Sequence, residues 1–157
     1  MKKLFFVICL LSLAFAESQN GKLSAKFYQE KRKTFREKMP KNSVAVFFSA
    51  PIRNRANDVD YIFHQDPDFF YLTGWHQPHS VLIIYKNPQG DDQGSFNEKL
   101  YIQERDEYKE LWNGKRYSTE AVKKLGFERV ATRNQFKVDV SNLSEYGKVL
   151  MFDFNND

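Results

Sequence analysis

The chain has 157 residues, 24 of them Lys or Arg and 20 Asp or Glu, which gives a formal net charge of +4 and a length suited to one domain. Two of the lysines lie in residues 1–16, a predicted signal peptide; without it, 22 basic residues face 20 acidic ones, too even a balance to indicate nucleic-acid binding. The single cysteine, Cys9, lies in the same segment, so disulfides and zinc–thiolate sites are excluded for residues 17–157.

Residues 1–16 combine three features of an export signal. Met1-Lys2-Lys3 is positively charged, Leu4 to Leu13 is apolar, and Ala14-Phe15-Ala16 has the small-x-small pattern of a cleavage site. The apolar run is shorter than the ~20 residues that span a bilayer as a helix. We therefore expect cleavage before Glu17, export to the periplasm or the medium, and no membrane association afterwards. A retained N-terminal membrane anchor is the alternative.

A helix is predicted from Leu23 to Met39, and Pro40 ends it. Its buried stripe consists of apolar residues spaced at multiples of four, namely Leu23, Phe27, Phe35 and Met39. Basic residues occupy much of the remaining surface, namely Lys31, Arg32, Lys33, Arg36 and Lys38. Because Glu30 and Glu37 interrupt them, we interpret this surface as a solvated helix face; a nucleic-acid footprint is the alternative.

Three segments of the central chain are predicted to be β-strands. Ser43–Ser49 and Ser80–Lys86 contain continuous apolar runs that are typical of buried strands. Glu98–Gln103 alternates polar and apolar residues and is predicted to pair with the preceding strand as a hairpin. Ala50–Asp60 has little periodicity and is predicted to be a loop, and Asp68–Leu72 forms an aromatic patch closed by a Thr-Gly pair.

The last third of the chain is predicted to be mainly helical, from apolar spacing and capping residues. The predicted elements are helices at Asp106–Trp112, Ser118–Gly126 and Asn134–Tyr146 and a strand at Val149–Phe154. Because helices alternate with strands along the chain, the predicted fold class is α/β.

The residues alone indicate no catalytic site. His76 and His79 have an H-x-x-H spacing, but Pro78 disfavours the helix that would aim both imidazoles at one metal, so they are interpreted, like His64, as ordinary loop histidines. Four acids could be imagined as a calcium or manganese cluster, but they lack the pattern of a calcium loop and are interpreted as solvated: Asp58, Asp60, Asp66 and Asp68. The sequence has no G-x-S-x-G and no Gly-rich phosphate loop.

One long phrase in the centre of the chain is similar to a known family. Phe47-Phe48-Ser49-Ala50-Pro51 and the segment from Asn57 to Gly74 resemble the N-terminal domain of aminopeptidase P, whose phrase is of the type Y-x-[FY]-[RH]-Q-[DN]-x-[DN]-F-[FWY]-Y-[FL]-[TS]-G. Pro78, Arg105-Asp106 and the stretch from Glu110 to Arg116 also match the pattern. The resemblance covers roughly residues 24–154, most of the chain after the signal peptide.

The resemblance implies a mixed β-sheet flanked by helices, similar to the ribonuclease H-like motif of creatinase and prolidase. It also implies a two-domain enzyme whose C-terminal "pita-bread" domain binds two Mn(II) ions through two Asp, one His and two Glu. None of those five ligands maps onto this sequence. Residues 17–157 are therefore expected to form the N-terminal domain, without its last helix and without the metallopeptidase domain, and to bind no metal. This chain alone is expected to be inactive.

Two residues are assigned a role by the resemblance. Asp58 and Trp112 lie where the family places an acid that pairs with the α-ammonium group of a peptide and a tryptophan that covers the site of a neighbouring subunit. The alternative is that Asp58 caps a loop and Trp112 packs into the core. Phe69, Phe70 and Tyr71 are expected to be core aromatic residues in either case.

The resemblance therefore predicts an oligomerisation and substrate-gating domain of an exported, Mn-dependent Xaa-Pro aminopeptidase. Its expected partners are a pita-bread metallopeptidase domain, further copies of the chain and a peptide substrate, with no nucleic acid. The alternative is a stand-alone exported binding or assembly module that has lost peptidase activity.

Overall fold

The computed structural model describes residues 23–151; the predicted signal peptide and residues 152–154 of the last predicted strand lie outside this range. The helices are α1 (Ala25–Lys38), α2 (Pro67–Thr73), α3 (Glu107–Asn113), α4 (Thr119–Lys123) and α5 (Arg133–Asp139), followed by a 3-10 helix at Val140–Glu145. The strands are β1 (Ser43–Phe48), β2 (Asn54–Ala56), β3 (Val59–Asp60), β4 (Val81–Asp91), β5 (Gly94–Ile102), β6 (Arg129–Thr132) and β7 (Lys148–Met151). Within residues 23–151, no helix has the length and apolar character needed to cross a bilayer.

Five strands form one mixed sheet in the order β6-β5-β4-β1-β7. Strand β4 pairs antiparallel with both β1 and β5, whereas β6 is parallel to β5 and β7 is parallel to β1. Strands β1, β5, β6 and β7 therefore all end at one edge of the sheet, where β4 begins; we call this the carboxyl edge. The sheet confirms the predicted α/β class and the predicted hairpin between β4 and β5.

Both faces of the sheet are covered, which explains the continuous apolar runs in β1 and β4. One face, with Leu82 and Ile84 of β4, packs with α1, α2 and α4. The opposite face, with Val81 and Ile83, packs against α5 and the 3-10 helix. On that second face, Lys99, Gln135 and Tyr101 donate hydrogen bonds to the Asp139 carboxylate. Burial opposes ionisation of Asp139, but these three hydrogen bonds outweigh it and hold its pKa below the usual range.

Helix α1 is confirmed, but the prediction of a solvated basic face was wrong for Arg32. Its side chain is 0% exposed, and Nε donates to Glu98 Oε2 on β5 at 2.7 Å. Its two terminal nitrogens donate to the carbonyl oxygens of Leu72 and Gly126 at 3.0 and 2.8 Å, and the guanidinium lies over the Phe127 ring. A long cationic side chain can be buried when its charge is paired and each of its nitrogens has an acceptor, and apolar periodicity does not reveal such partners.

Three further differences concern element boundaries and one concerns burial. The predicted loop Ala50–Asp60 contains the short β2–β3 hairpin, β6 was not predicted, and Asn134–Tyr146 divides into α5 and the 3-10 helix. Phe69 is buried as expected, but Phe70 and Tyr71 are exposed. Because the patch is helical, only Phe69 and Leu72, three residues apart, face the core.

Candidate functional site

Gln65, the glutamine of the resembling phrase, connects three loops at the carboxyl edge. Its Oε1 accepts hydrogen bonds from the backbone N–H groups of Ala50 and Asp66 at 2.8 and 2.9 Å. Its Nε2 donates to the carbonyl oxygens of Trp75 and Gln77, each at 3.1 Å. One amide side chain therefore satisfies four backbone groups and fixes the loops that follow β1 and α2.

The rest of the phrase encodes the short helix α2. Asp66 Oδ1 accepts from the Phe69 N–H at 2.7 Å as the N-cap, and Pro67 occupies the first turn. Gly74 ends the helix with a φ of 63°, and the Tyr28 ring lies against the position that a Cβ atom would occupy. The phrase is therefore a folding motif that positions the loops around it, and Asp66 is a capping residue, not a metal ligand.

Asp58 lies at the turn of the β2–β3 hairpin. Asn54 Nδ2 donates to the carbonyl oxygens of Asn57 and Val59 and to Asp60 Oδ1, which stabilises the turn. Asn57 has a φ of 52°, a conformation that asparagine tolerates. Asp58 is exposed, and its carboxylate has no hydrogen bond or ion pair with any residue of 23–151. The alternative that Asp58 caps this loop is therefore wrong, and its charge is available to a ligand.

Trp112 is presented by the short helix α3. Asp106 caps this helix by accepting from the Lys109 N–H at 3.1 Å, and Arg105 holds the Glu110 carboxylate through two hydrogen bonds of 3.1 Å. The Arg105 guanidinium lowers the pKa of Glu110, so the pair stays ionised near neutral pH. Helix α3 has no buried residue, and Trp112 is 78% exposed. The alternative that Trp112 packs into the core is therefore wrong.

A cleft at the carboxyl edge lies between these two segments. Its first part, which we call the apolar lobe, has a volume of about 370 Å³. Ile52 and Phe63, on the two sides of the β2–β3 hairpin, contribute to its wall, as do Asn113 and Gly114 directly after Trp112. The chain segments that carry Asp58 and Trp112 therefore border one cleft, although the two residues are far apart in the sequence.

The second part of the cleft, which we call the basic lobe, has a volume of about 310 Å³ and shares three wall residues with the apolar lobe, namely His79, Gln103 and Arg116. Its other walls include Lys109, Arg133 and Glu104. Burial lowers the pKa of His79, and the nearby Arg133 and Arg116 charges lower it further, so this imidazole is neutral at pH 7. Sequence reasoning missed this cluster because its members come from four separate segments.

The described residues do not fit a two-manganese site. Within residues 23–151, no group of three or more His, Cys, Asp or Glu side chains could hold a metal ion. His76 packs its ring against Phe63 and Phe70, whereas His79 lies in the wall of the cleft. The four aspartates that could be imagined as a calcium or manganese cluster also have separate roles, because Asp66 caps α2 while Asp60 accepts a hydrogen bond from Asn54.

The mixed sheet with helices on both faces defines an α/β domain of the creatinase and prolidase N-terminal type. The family model described as "Aminopeptidase P, N-terminal domain" matches residues 28–151, so the chain belongs to that family. The match includes the Gln65 loop motif, the β2–β3 hairpin and α3, the three features that border or organise the cleft.

Characterised relatives and solved structures agree with this assignment. The chain is 33% identical to Xaa-Pro aminopeptidase of Escherichia coli over 110 residues, which is 69% of this chain and 24% of that protein. It is 35% identical to Intermediate cleaving peptidase 55 of Schizosaccharomyces pombe over 66% of this chain and 21% of that protein. The structure of aminopeptidase P from E. coli with the inhibitor Pro-Leu has a TM-score of 0.74 and 28% identity, covering 86% of this chain and 30% of that one. The chain thus spans about a quarter or less of the length of the curated relatives it matches.

Proposed function

We propose that this chain is the non-catalytic oligomerisation and substrate-gating domain of an exported, Mn-dependent Xaa-Pro aminopeptidase. It would act together with a pita-bread metallopeptidase domain that supplies the two metal ions, and it would bind none itself. The single observation that carries the proposal is the presentation of Trp112. A tryptophan that is 78% exposed on a helix without buried residues contributes little to folding and is positioned to contact another molecule.

Asp58 supports the same proposal by its chemistry. The N-terminal ammonium group of a peptide is a cation with three donors, and an unpaired carboxylate is its natural partner. Because Asp58 has no competing partner within residues 23–151, the peptide ammonium would not have to displace one. Such a pair would favour peptides with a free amino terminus, and Trp112 would cover the extended chain that follows.

A domain exchange tests the gating role. We would replace the corresponding N-terminal domain of the E. coli Xaa-Pro aminopeptidase with residues 23–151 and measure kcat and KM for Xaa-Pro peptides with Mn(II). The chimera should cleave, and Asp58→Asn should lower kcat/KM by about tenfold or more for peptides with a free amino terminus. Asp60→Asn, a charge-matched change in the same hairpin, should have a smaller effect. Equal losses for the two variants would contradict the role of Asp58.

The 157-residue chain itself should not hydrolyse an Xaa-Pro peptide in the presence of Mn(II). Turnover above a metal blank, retained through purification and abolished by a chelator, would contradict the assignment as a non-catalytic domain.

Export is tested separately from gating. Expression of the full chain with its N-terminus intact should give a processed form outside the cytoplasm, and sequencing of that form should begin at Glu17. Recovery of the unprocessed chain in the membrane fraction would instead support the alternative of a retained anchor.

A stand-alone binding or assembly module is the second candidate. Tyr108, Leu111 and Trp112 are all largely exposed on α3, and a cluster of large apolar side chains favours association with another protein surface. Analytical ultracentrifugation of the chain should then show oligomers that Leu111→Ser weakens. Oligomers without any effect of the chain on a catalytic domain would favour this candidate over the first.

A further inference from the structure

The basic lobe contains more positive charge than its surroundings balance. Lys109, Arg116 and Arg133 line it together, and Glu104 is the only carboxylate in its wall. The Arg116 guanidinium donates to the Glu104 carbonyl oxygen at 2.7 Å, and Lys109 pairs with Asp106 at 3.2 Å. Neither contact places a carboxylate of the protein inside the lobe.

Arg133 is the least satisfied of these cations. It is exposed and has no hydrogen bond or ion pair with any residue in the described range. The Glu104 carboxylate, which could have neutralised it, instead accepts a hydrogen bond from Asn134 Nδ2 at 2.6 Å. The positive charges of Arg133 and Arg116 also act on His79, another residue of the lobe wall, where they disfavour protonation of the imidazole. The lobe is therefore positive before any ligand arrives.

We infer that the basic lobe binds the C-terminal carboxylate of a short peptide whose preceding side chain lies in the apolar lobe. A planar guanidinium matches a carboxylate through two parallel hydrogen bonds, and Arg116 and Arg133 both line this lobe. The adjoining apolar lobe offers Ile52, Phe63 and Pro78 to an apolar side chain. The Glu104 carboxylate in the wall repels a doubly charged phosphate group more strongly than a singly charged carboxylate, which argues against a nucleotide.

The inference rests on the proposed function only in that it takes the ligand to be a peptide. It adds a second recognition point to the one proposed at Asp58, because the amino end of the peptide would be engaged by Asp58 and the carboxyl end by the basic lobe. The consequence is a preference for short peptides with both termini free over internal segments of long chains.

The test compares peptides that differ only at their termini. The probes are Ala-Pro-Leu, its C-terminal amide and its N-acetyl derivative. Their affinities for the full chain are measured by calorimetry and by tryptophan fluorescence, to which Trp75 and the exposed Trp112 both contribute. Amidation should weaken binding at least about tenfold, since it removes a charge-assisted hydrogen bond. Higher ionic strength should weaken binding of the free acid more than binding of the amide.

Arg133→Gln should reduce the affinity for the free acid to that for the amide and leave the affinity for the amide unchanged. Because Arg133 is exposed and unpaired, this variant should keep the circular dichroism spectrum of the wild type. Lys137→Gln, which removes one charge from the same helix outside the lobe, should change neither affinity. Arg116→Lys should retain part of the preference for the free acid, since lysine keeps the positive charge but cannot form the two parallel hydrogen bonds of a guanidinium.

Equal affinity for the acid and the amide, or no binding of either at millimolar peptide, would overturn the inference. So would an equal loss for both peptides in Arg133→Gln. These outcomes are distinguishable from failure of the proposed function, which would appear as indifference to N-acetylation and to Asp58→Asn while the dependence on the carboxylate persists.

Discussion

Replacing Arg32, the buried cation of α1, measures how much its ion pair with Glu98 contributes to the stability of the domain. Arg32→Met would leave the Glu98 carboxylate 7% exposed and without its cation. Breaking a buried ion pair by deleting one partner typically costs about 3–5 kcal/mol, a large share of the roughly 5–15 kcal/mol by which domains are stable. Urea denaturation followed by circular dichroism should therefore show a much lower midpoint for Arg32→Met.

The double variant Arg32→Met/Glu98→Met tests whether the uncompensated charge of Glu98 causes the loss of stability in Arg32→Met. Replacing both partners with apolar residues should recover most of the lost stability, because the desolvation cost of Glu98 disappears as well. Recovery should be incomplete, since the Leu72 carbonyl loses its donor, whereas the Gly126 carbonyl keeps the hydrogen bond from Gln29. Lys33→Met, at an exposed position of the same helix, should lie within about 0.5 kcal/mol of the wild type. A double variant as unstable as Arg32→Met would refute the reasoning.

Three further changes probe the fold at independent positions. Gly74→Ala should lower the free energy of unfolding by at least about 1 kcal/mol in chemical denaturation, because a φ of 63° is strained for alanine and the added methyl group would overlap the Tyr28 ring. Gly90→Ala should be nearly neutral, because the added methyl group would contact no other atom. The pKa of Asp139 in the folded protein lies below its value of about 4 in the unfolded chain. The stabilisation from the ionised carboxylate is therefore complete above about pH 4 and is lost as the pH falls through the folded pKa. Asp139→Asn should accordingly flatten the loss of stability in acid titrations below about pH 4. Trp75→Ala should lower the free energy of unfolding by about 3–5 kcal/mol in thermal unfolding, because this side chain is 5% exposed. Trp112→Ala should leave the stability unchanged. A comparable loss for both variants would contradict the assignment of Trp112 to a contact surface.

The elements that could be predicted are those whose signal is local. Helix α1 follows from an apolar stripe and a terminating proline, and β1 and β4 follow from apolar runs. Strand β6 was missed because Arg129–Thr132 is short and mixed in character, and it becomes a strand only by pairing with β5. The two-residue strand β3 depends likewise on hydrogen bonds that the Asn54 side chain makes across the turn.

The site divides in the same way. Asp58 and Trp112 were assigned a role only through resemblance to a family phrase, since neither has a local pattern that marks it, and that assignment stays a prediction. The basic lobe could not be found, because its cations come from α3, the segment after α3 and the start of α5, and only the folded sheet edge brings them together. Arg32 was misassigned because its charge suggests solvent, whereas its environment depends on a glutamate 66 residues away.

The parallel pairing of β7 with β1 has a consequence for how the polypeptide matures. Val44 of β1 is adjacent to Val149 of β7, so β1 cannot complete its pairing until β7 is in place. Bringing together two strands so far apart in the sequence closes a long loop, which is entropically costly and slow. A nascent chain that appears amino-terminus first therefore exposes one side of β1 until β7 has been synthesised. During that interval the unpaired backbone of β1 is an aggregation hazard, so a partner that covers this strand edge until β7 is available would favour correct folding.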